Sequence, residues 1–416
     1  MFLIFAIGLL VEIPLIAYFL SRSDEPRASS AITTPNSLPA GSSALPLHPV
    51  AGNFKPDDTT LVRCAQQTCF EQAYGNIAYR RGPKAAFALI EKQYAGGADP
   101  SCHRVVHMVG AATLARNHGN VARTFAEGSS ICWSGYYHGV LERAFASVKS
   151  YDAKSLAAKS RALCADPKVR ASSWLTYQCL HGLGHGLMIT TGLQLPLSLD
   201  VCRRLDGAWD QTACKSGVFM ENFITSYGGE SPYVRADDPL YPCDWVREAD
   251  KYTCYQQATT RIIRVVGTDW AAISKTCAGA ERRWVTTCFG SLGQTASSLG
   301  FRKPAKIIPT CLFARPYGGE QECIRYAAMD IAGTYSGGRQ ASRLCTEVPA
   351  NLRGSCFEAI GRMLRHLRNT PVARRAECRS ITPSAALDAE CIAGSTKQSS
   401  IPGLTPLTPT PMPAGA

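Results

Sequence analysis

The chain has 416 residues, 45% of them hydrophobic, and a net charge of +12. That is enough apolar material for a large core, although domains usually split before this size. Its eighteen cysteines lie at long intervals with no Cys-x-x-Cys pair, which argues against zinc ribbons and for disulfides in an oxidising compartment. The positive charge comes with no nucleic-acid recognition motif, so no nucleic-acid partner is expected. A solvated basic surface, or attraction to an anionic cell-surface polymer or lipid headgroups, remains.

Met1 to Leu20 is almost wholly apolar, broken only by Glu12 and Pro14. About 20 apolar residues suffice to span a bilayer as a helix. No Lys or Arg precedes the run and no A-x-A site follows directly, so it reads as an uncleaved signal anchor rather than a cleaved signal peptide. The expected location is the cell membrane, single-pass, with the domain outside the cytoplasm; cleavage would make the protein secreted. Residues 21–57 are rich in Ser, Pro, Ala and Thr and predict a disordered stalk. Residues 394–416, with Pro402-Gly-Leu-Thr-Pro-Leu-Thr-Pro-Thr-Pro, predict a flexible tail.

Residues 58–160 predict a helical, histidine-bearing region. Residues 161–393 hold an internal repeat written in cysteines: 164/179, 202/214, 243/254, 277/288, 311/323, 345/356 and 378/391. The second members step by 35, 40, 34, 35, 33 and 35 residues. Such a period marks stacked helical hairpins. An amphipathic segment leads to the first cysteine, as in Lys303-Pro-Ala-Lys-Ile-Ile-Pro-Thr-Cys311. The second opens a longer helix of small and apolar residues, as in Cys356-Phe-Glu-Ala-Ile-Gly-Arg-Met-Leu. The fold class predicted is therefore all-α, a solenoid of helical hairpins of about 35 residues with one disulfide each. Cys64, Cys69, Cys102 and Cys132 remain; the expected couples are Cys64 with Cys69 and Cys102 with Cys132, although sequence alone does not fix connectivity. Over roughly residues 160 to 392 the chain resembles, in architecture, the disulfide-stapled Sel1-like helical repeats of secreted cysteine-rich proteins. The resemblance rests on repeat length and one staple per hairpin. It carries over no functional residue, and no enzyme family is recognised.

Six of the eight histidines fall between Ser101 and Met188, and five of them lie in three groups, each led by a cysteine. They stand in Cys102-His103-Arg-Val-Val-His107, in Cys132-Trp-Ser-Gly135-Tyr136-Tyr137-His138, and in Cys179-Leu-His181-Gly-Leu-Gly-His185. Two groups have His-x-x-x-His spacing, which puts both imidazoles on one helix face. Counted from the helix-opening cysteine, position +6 is His138 and His185 in adjacent repeats, then Met220, Thr260, Gln294, Met329 and Arg362. Stacking brings equivalent positions onto one surface. Imidazole suits zinc, copper and iron, so His103, His107, His138, His181 and His185 are the candidate ligands of a transition metal. Glu142, one turn after His138, is a candidate ligand or general base; Glu221 is a second carboxylate, and Tyr136 and Tyr137 are candidate pocket walls. Glycine recurs at +3, as Gly135, Gly182 and Gly217, permitting close approach of a helix or ligand. His118 and His366 read as structural, and the arginines between Arg362 and Arg379 as a solvated face.

Other chemistry finds no motif: no His-Glu-x-x-His, no Gly-x-Ser-x-Gly, no Cys-x-x-Cys-His. The function expected is an extracytoplasmic, membrane-anchored metalloprotein, which can extend to a metal-dependent enzyme. The alternative is a metal-free helical-repeat scaffold for a partner protein or cell-surface polymer.

Overall fold

The computed structural model describes residues 54–94, 100–132, 134–148, 150–226 and 230–397. The expected membrane segment, most of the stalk and nearly all of the tail lie outside them. Among the described residues every regular element is a helix, and no helix is long and apolar enough to cross a membrane.

Ten long helices carry the fold: α1 (Gln67–Arg81), α2 (Pro100–Arg116), α3 (Gly135–Phe145), α4 (Ser173–Thr190), α5 (Ala208–Phe223), α6 (Glu248–Val266), α7 (Val285–Leu299), α8 (Glu320–Thr334), α9 (Ala350–Leu367) and α10 (Ala385–Thr396). Each packs on the next in chain order. Shorter helices precede most of them, such as Leu195–Arg203 before α5 and Pro304–Leu312 before α8. Their starts follow local chemistry. Ser172 accepts from the Leu175 N–H, and Asp269 from the N–H groups of Ala271 and Ala272. Pro304 occupies the first turn, where a missing N–H costs nothing.

All eighteen cysteines are paired, in the nine couples expected. Each of the seven later staples closes a loop of 11 to 15 residues' separation. Six tie a short helix to its long partner, whereas Cys243 lies in a run of turns. Cys102–Cys132 differs: it fastens α2 to the loop that opens α3, so two long helices are clamped directly.

Ion pairs repeat the stapling between neighbours. Asp250, 1% exposed, meets Lys215 at 2.7 Å and Arg203 at 2.8 Å. Arg170 grips Asp210 through two nitrogens at 3.0 and 2.7 Å. The arginine-rich stretch is largely used this way: Arg362 binds Glu358, Arg368 binds Glu377, and Arg365 caps the carbonyls of Thr396 and Lys397.

Two features depart from a plain neighbour-to-neighbour array. Ser130 donates to the carbonyl of Thr334, and the ring of His366 lies flat on Trp209, centroids 5.3 Å apart at 9°. Early and late repeats therefore touch. The packed unit also begins before residue 58. Phe54 is 2% exposed in the core, and Asp57 is held by Asn76 of α1. At the other end α10 runs on to Thr396, with Gly394 and Ser395 buried.

Candidate metal centre

The histidines converge because α2, α3, α4 and α5 approach very closely. A Cβ on Gly139 would sit 1.8 Å from the His107 carbonyl oxygen, and one on Gly217 would sit 1.9 Å from that of His181. Only glycine allows these crossings, so backbones meet where the imidazoles leave them. The glycines thus serve helix contact.

Four of the five imidazoles are almost fully buried: His107 (0% exposed), His138 (1%), His185 (1%) and His181 (6%). His103 is half-buried. The spacing of four residues does what it predicts. His103 and His107 bring their Nε2 atoms to 2.9 Å, and His181 and His185 theirs to 3.3 Å. His138 stands between the pairs. Its ring is edge-on to His107 (5.2 Å, 83°) and His103 (5.3 Å, 68°), and stacked on His185 (3.9 Å, 16°). The shared +6 position therefore does put His138 against His185.

The outer nitrogens are held by the chain. Nδ1 of His107 lies 2.6 Å from Glu142 Oε1, and Nδ1 of His185 lies 2.7 Å from Glu221 Oε2. Glu221 is itself fixed by the Ser226 N–H at 2.7 Å and hydroxyl at 2.6 Å. Nδ1 of His103 lies 2.8 Å from the Cys132 carbonyl. Nδ1 of His181 faces the Tyr177 hydroxyl at 3.4 Å, with the Tyr177 ring stacked on it.

A carbonyl only accepts, so Nδ1 of His103 carries a hydrogen. Its Nε2 faces the Nε2 of His107 at 2.9 Å. Burial pushes His103 down to about 3, which disfavours a second proton on that ring. Burial likewise pushes His181 to about 4, and His138 and His185 well below the ordinary histidine range. It pushes Glu221 up to about 7, against the pull of Ser226.

Two triads have the ligand geometry for a metal ion: His103, His107 and His138, and His138, His181 and His185. Within each, the ligand nitrogens all lie within 4.8 Å of one another. The donors are imidazole nitrogens, a set that zinc, copper and iron accept.

Not every predicted residue sits as expected. Glu142 and Glu221 back the imidazoles from outside, which is the place of a carboxylate that orients a ligand. Tyr136 and Tyr137 pack against Phe87 and Phe125, and the Tyr136 hydroxyl donates to the Thr124 carbonyl. The tyrosine beside the histidines is Tyr177, one turn before His181, a spacing the sequence does display. Ser226 and the Cys132 carbonyl have no such signal.

Together these features define an all-α, disulfide-stapled helical-repeat protein with a buried histidine cluster. Compared with known proteins, the chain matches no family model, no curated protein and no solved structure.

Proposed function

We propose that the histidine cluster holds a transition metal, and that the protein is an extracytoplasmic metalloprotein tethered to a membrane by Met1–Leu20. The observation that carries this reading is the convergence of two histidine triads, His103 with His107 and His138, and His138 with His181 and His185, whose ligand nitrogens lie within 4.8 Å of one another. A buried cation coordinates nitrogens gathered in this way. The nine disulfides support an oxidising compartment, where copper, zinc or iron can load the site. The carboxylates of Glu142 and Glu221 strengthen their imidazoles as donors.

A metal-free scaffold is the second reading, because staples and stacked hairpins serve a binding surface equally well. Its partner would be a protein or an anionic cell-surface polymer. Elemental analysis of full-length protein exposed to copper, zinc and iron separates the two. Bound metal in the wild type, lost in His107→Ala and kept in His118→Ala, is the expected result. A wild-type chain that retains no metal would leave the scaffold standing.

A further inference from the structure

We infer that the cluster is built for two metal ions, with His138 as the ligand common to both. This rests on the metal-binding reading above and specifies the occupancy of that site. The two triads share His138 and no other residue. His103, His107 and His185 each commit Nδ1 to a carbonyl or carboxylate and turn Nε2 toward the other histidine of their pair. His181 already faces Tyr177 with its Nδ1. His138 alone commits neither. It is 1% exposed, and both its ring nitrogens lack a hydrogen-bond partner among the described residues.

A buried imidazole with a donor and an acceptor both unmet is costly, since polar groups inside proteins are almost always satisfied. One ion would satisfy one nitrogen and leave the other orphaned. Two ions satisfy both, one from the His103–His107 side and one from the His181–His185 side. A single ion would also have to choose among five imidazoles, more than a four-coordinate site uses. As the second ion binds, the ring N–H bond of His138 breaks. Its electron pair stays on nitrogen to form the metal bond, and the proton leaves to solvent.

The test titrates the full metal-free chain with cobalt(II), read by visible absorption, and with copper(II), counted by elemental analysis. Two ions per wild-type chain are expected. His103→Ala and His181→Ala should each keep one, and His138→Ala should weaken both by at least about tenfold. Circular dichroism checks that each variant folds. A measurement on the unaltered protein guards against misfolded variants: two copper(II) ions joined through one imidazolate should show a low-temperature spin count well below the copper count. One ion per wild-type chain, abolished by either His103→Ala or His181→Ala, overturns the two-ion site but leaves metal binding intact. Two full, independent copper signals overturn the bridge. No ion at all overturns the metal reading itself.

Discussion

Replacing Glu221 by Gln tests whether the carboxylates behind the histidines set the donor strength of the cluster. Glu221 is 1% exposed; it accepts from the Ser226 N–H at 2.7 Å and the Ser226 hydroxyl at 2.6 Å, and shares a third hydrogen bond with Nδ1 of His185 at 2.7 Å. The amide of Gln cannot replace all three. With its oxygen toward His185, its NH2 group opposes the Ser226 N–H; turned round, it opposes His185 Nδ1–H. The first orientation leaves one buried donor unmet, worth about 1–3 kcal/mol of folding stability. The second drives His185 to its other tautomer, which puts a hydrogen on the Nε2 that must face the metal. Loss of such a supporting partner typically lowers metal affinity about 10- to 100-fold, or about 1.4–2.8 kcal/mol of binding free energy. Competition against a coloured chelator measures this directly, with thermal unfolding as the check on fold. Glu142→Gln should behave alike through His107. A folded Glu221→Gln protein with unchanged metal affinity would show that the carboxylate serves packing and not the metal.

Three further outcomes follow from the same structure. Alkylation of the non-reduced protein should label no cysteine, and several labelled thiols would refute the stapled array. Removing one late staple, with Cys345→Ser and Cys356→Ser together, should cost about 3 kcal/mol in the chain-entropy account and lower the melting temperature while the metal stays bound; loss of metal would mean that late repeats support the site, for which the His366–Trp209 stack offers a route. The pH dependence of the metal-free chain has a definite sign. His103 and His181 have folded values lowered to about 3 and about 4 from 6.5, so below 6.5 the unfolded chain binds protons that the folded chain refuses, and stability falls as pH drops through that window. Glu221, raised from 4.5 to about 7, acts oppositely, its contribution falling as pH rises between those values. With four histidines lowered and one carboxylate raised, denaturant midpoints should drop below pH 6.5; a flat profile from 6.5 to 4 would show that the imidazoles are not buried neutral.

Much of this is legible in the residues, for reasons that also mark where legibility stops. Cysteine spacing reports the repeat because each of the seven later staples joins positions 11 to 15 residues apart, and those seven pairings follow. Helical spacing reports which imidazoles share a face, so His103 with His107 and His181 with His185 are readable. Repeat alignment adds His138 to His185, since stacking superposes equivalent positions. Cys102 breaks the pattern, as it lies within α2 and reaches forward to the start of α3. Counting from cysteines therefore could not place the first histidine pair against the others. The roles of Glu142 and Glu221 were also beyond reach. One turn along a helix brings a carboxylate near its own histidine, but Glu142 in fact faces His107 of the preceding helix, and Glu221 faces His185 likewise.

That shift by one helix explains why the cluster sits where it does. Each supporting carboxylate comes from the long helix after the one bearing its histidine pair: α3 supports α2, and α5 supports α4. The array thus repeats one motif across two steps, a pair of imidazoles backed by an acid from the next layer. α3 contributes twice, with Glu142 turned back toward His107 and His138 standing between the two pairs. Beyond α5 the +6 position passes to Thr260, Gln294, Met329 and Arg362, and the motif ends. The later repeats instead spend their charges on pairs such as Lys251–Glu281 and Arg325–Glu358. They extend the stack and, through His366 on Trp209, press back on the helix that carries Glu221. A site where five imidazoles crowd together needs rigid walls, because the rings would otherwise relax apart. The clamp at Cys102–Cys132, the glycine crossings at Gly139 and Gly217, and the returning late repeats all resist that relaxation.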